Sequence, residues 1–141
     1  MAKGTEVVNQ ISGIGLFADL SHSQLEGVAH TFEEESFPEG HRILRQGFGG
    51  SSFHIILDGE VSVQVGGQER RRFARGDFFG EISILLGEAP SADIVVAVGP
   101  LRSLTLGGPK LQEFLTAHPV VMYRMLQAEA RRVHDTTQWQ S

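Results

Sequence analysis

Between Phe32 and Leu106 the apolar residues recur at every second position, and glycine cuts the pattern at short intervals. This rhythm limits the fold more than any other feature. A period of two places alternate side chains on opposite faces of an extended chain, so each run reads as a half-buried strand. Val61, Val63 and Val65 alternate with Ser62 and Gln64, the clearest case. Further runs lie at Phe32–Phe37, His41–Arg45, Phe53–Leu57, Gln68–Ala74, Ile94–Val98 and Leu101–Leu106. Turn signals separate them: Pro38-Glu39-Gly40, Gln46-Gly47, Asp58-Gly59, Gly66-Gly67 and Gly99-Pro100. Asp-Gly and Gly-Gly are hairpin dipeptides because both tolerate positive φ. Seven or eight short strands with turns every 8–12 residues predict a sandwich, a barrel or a roll.

Helices flank this region. Residues 7–31 read as helical with a break, since Gly13 and Gly15 loosen the middle. Ser21 and Gln24 fit a capping box, with Leu20 and Leu25 as its hydrophobic staple. After the strands, Pro109 suits a first helical position, and Leu111, Phe114 and Leu115 form one stripe. A last helix over Pro119–His134 carries Met122, Met125, Leu126, Ala130 and Val133.

Composition excludes several classes. A length of 141 residues suits one domain, 1–141: a helical part at 5–31, a β body at 32–107 and helices at 108–135. There is no Cys, hence no disulfide framework, thiolate metal site or Cys nucleophile. A net charge of −5 argues against a general polyanion binder. No apolar run spans a membrane and the first residues lack a secretory h-region, so the expected location is the cytoplasm. None of the six His shows metal-ligand spacing, so neither a metal nor a cofactor is expected. Glu33-Glu34-Glu35 reads as a charged strand edge rather than a catalytic cluster. With no nucleophile elbow and no P-loop, the chain is not expected to be an enzyme.

One segment carries chemistry: Arg75-Gly76-Asp77-Phe78-Phe79-Gly80-Glu81-Ile82-Ser83-Ile84-Leu85-Leu86-Gly87, then Pro90-Ser91-Ala92-Asp93. Glycines bracket a short helical turn inside a β body. Main-chain N–H groups at such a turn are natural anion donors, and Gly80 permits close approach to the backbone. Glu81 suits sugar hydroxyls as a hydrogen-bond acceptor. This segment resembles the phosphate-binding cassette of the cyclic nucleotide-binding domain family, which includes the bacterial catabolite activator protein and the regulatory subunits of cyclic-AMP-dependent kinase. The surrounding framework of Gly40, Ile43, Gln46-Gly47, Asp58-Gly59, Val61, Val63 and Gly76-Asp77 is also similar, and the likeness extends from about Leu16 to Val133.

The resemblance implies an α+β domain: an eight-stranded antiparallel β-roll, jelly-roll-like, with N-terminal helices and two C-terminal helices. It implies a sensor of a cyclic nucleotide, cAMP or cGMP, coupled to movement of the last helix. Gly80 and Glu81 would meet the ribose, and Ile82 and Ser83 would offer main-chain donors to the phosphate. Val63 and Phe79 would wall sugar and base, and Ala92 matches a small residue of the pattern. The family's phosphate-pairing arginine falls at Ser91, and that departure lowers the expected affinity roughly 10- to 100-fold. Asp93 would add repulsion if it faced the site. Arg70, Arg71 and Arg72 precede the cassette, and one of them could restore the missing charge. The plainer reading makes them a solvated strand face. Arg131 and Arg132 fall where the family brings a residue over the base. The last helix also suggests a homodimer. The chain ends soon after it, so direct DNA binding through a helix-turn-helix is not expected, and the effector is unidentified whether the chain is a free-standing module or a domain of a longer one. The rival reading is a degenerate domain that binds no nucleotide and serves dimerisation or protein interaction, or senses another, less anionic molecule.

Overall fold

The computed structural model describes residues 2–50 and 52–140, with side chains for 6–50 and 52–136. Met1 and Ser141, the limits of the expected domain, lie outside them. Helix α1 (Ala2–Ile11), a single 3-10 turn (Gly15–Phe17) and α2 (His22–Thr31) open the chain. The break falls where Gly13 and Gly15 predict it. Ser21 caps α2 as expected: its hydroxyl accepts from the Gln24 amide at 3.2 Å, and the Gln24 side chain accepts from the Ser21 amide at 2.8 Å.

The strands are β1 (Glu33–Phe37), β2 (Arg42–Leu44), β3 (Ser52–Val65), β4 (Gln68–Phe73), β5 (Phe78–Phe79) and β6 (Asp93–Gly107). All pairings are antiparallel. The order β1-β6-β3-β4 is joined by β2 on β6 and by β5 on β3. The architecture is the expected mixed one, with helices at both ends of the sheet, but among the described residues the strands number six rather than eight. The physical reason lies at Asp58-Gly59 and Gly99-Pro100. Neither is a hairpin or a break; each is a bend within a long strand. The β3–β6 register shifts between Ile56 and Val61, so the two strands bend together. Gly59 takes φ +90°, and a Cβ there would lie 2.8 Å from the Val98 carbonyl oxygen. The glycine is needed for close strand packing rather than for chain reversal. Gly66-Gly67 does form the β3–β4 hairpin.

Two apolar cores result. One lies between the sheet and the helices and includes Val8, Ile11, Phe17, Val28, Phe53, Leu104 and Leu111. The other fills the roll with Ile56, Val61, Phe73, Ile94, Val96 and Leu101. Because successive strand residues point oppositely, Phe78 enters the first core and Phe79 the second. Helices α4 (Gly108–Ala117) and α5 (Pro119–Gln140) close the fold. Val121 and Met125 of α5 are buried in the first core, and Arg124 holds Asp19 with hydrogen bonds of 2.7 and 2.9 Å.

Candidate functional site

The glycine-flanked turn forms α3 (Glu81–Leu86), a helix of one and a half turns that starts directly from β5. Gly80 and Gly87 bound it with φ of 91° and 68°, values that favour glycine. At Gly80 the requirement is also steric, because a Cβ would fall 2.1 Å from the Ser52 carbonyl oxygen. The backbone of the cassette therefore presses directly on β3. The first N–H groups of α3 lack acceptors within their own helix, as in any helix.

A cavity of 680 Å³ opens beside this helix, a size suited to a small organic ligand. Val63, Phe79, Gly80, Glu81, Ile82, Ser83, Ser91 and Ala92 all line it. The eight residues singled out by the sequence thus meet around one hollow, although they come from β3, β5, α3 and the loop before β6. Leu44, Phe73, Pro90 and Ile94 complete its apolar walls. Among the described residues no group of three His, Asp or Glu is placed to hold a metal, and no helix is long and apolar enough to cross a membrane.

Glu81 lies at the edge of this cavity yet is only 1% exposed. Burial of a carboxylate is costly without partners. Its partner is Arg132 of α5, whose Nη1 donates to Glu81 Oε2 at 3.1 Å and to Glu129 Oε1 at 3.0 Å. The Arg132 Nη2 donates to the Phe78 carbonyl at 2.7 Å. Its guanidinium lies over the rings of Phe73 and Phe78, at 4.4 and 4.3 Å from their centroids. One arginine thereby joins α5, the root of the cassette and the β4 wall. Burial, then the hydrogen bond and charge of Glu129, push the Glu81 carboxyl up to about 8, while Arg132 opposes the rise.

The charges near Ser91 follow from the strand register. Asp93 does not face the cavity. Its Oδ1 accepts from the Gln46 amide at 2.6 Å, and its Oδ2 lies 3.8 Å from Arg42 Nε. Arg72 points outward to Glu69 and Glu60, at 3.0 and 3.4 Å. Arg70 and Arg71 line the cavity, so the arginine run is only in part a solvated face. Arg132 lines it too, whereas Arg131 lines only a neighbouring hollow, which shares Arg71, Phe73 and Arg132 with the first.

Two features escaped sequence reasoning. The resemblance puts Arg131 or Arg132 over the base, but nothing in the sequence signals the pairing of Arg132 with Glu129 or its reach to Glu81. His54 was one of six unassigned histidines, yet it lies buried beneath Phe79 with the rings stacked at 4.8 Å.

Comparison with known proteins places these observations. The cyclic nucleotide-binding domain model matches residues 34–118, more than half of the chain. A cGMP-dependent protein kinase of Caenorhabditis briggsae is 33% identical over 112 residues, covering 75% of this chain and 15% of the kinase. The Thermus thermophilus catabolite activator protein superposes with a TM-score of 0.77 at 26% identity, over 88% of this chain and 60% of that one. The regulatory subunit of a cAMP-independent protein kinase A from Trypanosoma cruzi, bound to guanosine, superposes with a TM-score of 0.68 at 18% identity, over 79% of this chain and 40% of that one. The chain belongs to the cyclic nucleotide-binding domain family.

Proposed function

We propose that this family member is a regulatory module that holds a cyclic nucleotide, cAMP or cGMP, in the cavity beside α3, and that it acts by binding rather than by turnover. The observation that carries this reading is the convergence of Val63 and the seven cassette residues on one hollow, with Glu81 buried at its edge. The ribose hydroxyls donate to Glu81, and the phosphate takes the amides of Ile82 and Ser83 and the Ser91 hydroxyl. Ser91 supplies no charge, so the compensating cation comes from the arginines of the cavity wall, Arg70 and Arg71. Occupancy competes with Arg132 for Glu81 and so biases the position of α5; the ligand shifts that equilibrium only by its differential affinity for the two positions.

The output passes to a partner, in the cytoplasm and without direct contact with nucleic acid or membrane. Met122, Leu126 and Val133 are 42%, 62% and 67% exposed, and they form an outward stripe on α5 suited to a homodimer.

A second reading has a specific support. With Ser91 in place of the arginine, the pocket suits a ligand less anionic than a cyclic phosphate, and the Trypanosoma cruzi neighbour is bound to guanosine. Calorimetric titration with cGMP, cAMP and guanosine separates the two. Micromolar binding of a cyclic nucleotide, abolished in Glu81→Ala, is the expected result. Binding of guanosine alone would transfer the site to the second reading. No heat from any of the three at millimolar concentration would leave an interaction module.

A further inference from the structure

We infer that His54 is a positioning residue of this site: its imidazole, buried beneath the cavity, sets where the Phe79-Gly80-Glu81 junction lies. The inference rests on the nucleotide reading only for its consequence on affinity. The geometry stands alone. His54 is 2% exposed and sits opposite Phe79 on one side and Thr105 on the other, so it occupies β3 between β5 and β6. Its ring stacks on Phe79 at 4.8 Å and 14°, and meets the edge of Phe37 at 6.0 Å. Phe79 lines the cavity, so the imidazole is the surface on which one cavity wall rests.

The ring nitrogens fix the other side of the junction. Nε2 lies 2.8 Å from Ser52 Oγ, and the Ser52 carbonyl is the group against which Gly80 is pressed. Nδ1 lies 3.1 Å from Thr105 Oγ1 and 3.4 Å from Ser103 Oγ. Hydroxyls both donate and accept, so either neutral tautomer satisfies both nitrogens. Burial pushes the imidazole down to about 4, which keeps it neutral near pH 7. One side chain thus grips both Phe79 and the strand segment on which Gly80 packs. A purely apolar residue could stack but could not hold Ser52. A glutamine amide could hold Ser52 but could not stack.

The test uses two variants and a control in the full chain. His54→Phe keeps the stack and removes the contacts of both ring nitrogens; His54→Gln removes the stack and carries an amide that reaches the position of Nε2 beside Ser52. Ile11→Val, in the helix-side core, supplies a comparable loss of packing away from the cavity. Amide hydrogen exchange is measured on the ligand-free protein at Gly80–Ser83 and at the reference amides of Val28 and Leu111. Affinity for cGMP and cAMP is measured in parallel. The expected result is faster exchange at Gly80–Ser83, beyond the change at the reference amides, in both His54 variants and not in Ile11→Val. Nucleotide affinity should fall about tenfold, with His54→Phe the milder variant if His54→Gln does not fold. Exchange that rises equally at all amides would make His54 an ordinary core residue and overturn the inference. If the wild-type chain binds neither nucleotide, the nucleotide reading fails, and the exchange comparison still decides the role of His54.

Discussion

The contact between Arg132 and Glu81 should strengthen as pH rises, and a double-mutant cycle measures it. Arg132→Met keeps most of the apolar stem over Phe73 and Phe78 but removes the charge, and Glu81→Gln keeps the shape but cannot ionise. Near pH 6 the Glu81 carboxyl, pushed up to about 8, is protonated, so Arg132 meets a neutral partner there. The coupling should then be below about 1 kcal/mol, because the amide of Glu81→Gln keeps an oxygen that accepts from Arg132 much as the neutral carboxyl does. Near pH 9 the carboxylate is ionised and 1% exposed, and removal of its cation strands a buried charge. Such losses run to about 3–5 kcal/mol. Protonation limits the loss here, because in Arg132→Met the carboxyl retains its proton to higher pH, at about 1.4 kcal/mol per pKa unit. A coupling of about 2–3 kcal/mol is therefore expected at pH 9. The assay is urea unfolding of the four proteins at both pH values, with m unchanged as the check on two-state behaviour. Wild type carries a further signature. A carboxyl raised in the fold contributes stability that is complete below about 4.5 and is lost as pH rises through about 8, and Glu81→Gln should flatten that limb. A coupling equal at the two pH values, or larger at pH 6, would refute the assignment of Arg132 as the counter-ion.

Three more expectations are independent of that one. Ser91→Arg should tighten cyclic nucleotide binding by roughly 10- to 100-fold, since one charge-assisted hydrogen bond contributes about 1.5–3 kcal/mol; an unchanged Kd in calorimetry would show that the anion is seated away from position 91. Gly80→Ala places a Cβ 2.1 Å from the Ser52 carbonyl oxygen at a positive φ, and should cost at least about 2 kcal/mol in urea unfolding; a wild-type midpoint would mean that β3 yields easily. His54, depressed from 6.5 to about 4, contributes stability present above about 6.5 and lost as pH falls through 4, on the order of 3 kcal/mol. The His54→Phe chain should lose correspondingly less over that range, and parallel pH profiles for the two proteins would contradict the burial argument.

The cassette was legible because its information is local. Gly80 is demanded by φ and by contact and Gly87 by φ alone, Glu81 follows Gly80 at once, and a short helix between two glycines leaves little alternative. The Ser21/Gln24 cap was legible for the same reason. Misreading occurred where local chemistry serves two geometries. Asp58-Gly59 has the composition of a hairpin, yet β6 lies alongside and converts it into a shared bend, with Gly59 held against Val98. Nothing within β3 signals the presence of that neighbour. The Arg132–Glu81 contact joins residues 51 apart in sequence, and only the packing of Val121 and Met125 decides which face of α5 turns toward the cavity. His54 was invisible for a related reason: its partners Ser52, Ser103 and Thr105 are ordinary strand hydroxyls until the sheet brings them around one ring.

Strand β5 is only two residues long, yet its adjacent phenylalanines plug into different interiors, Phe78 among the helices and Phe79 inside the roll. The cavity rim is therefore bolted to both halves of the molecule by a single dipeptide. A substitution packed directly against either ring would reach the rim without touching a ligand, whereas one elsewhere in the same interior would not. If the cavity takes the proposed nucleotide, its affinity depends on the seating of these two rings as well as on the groups that touch the ligand, and variants screened only at the mouth of the cavity would miss that contribution.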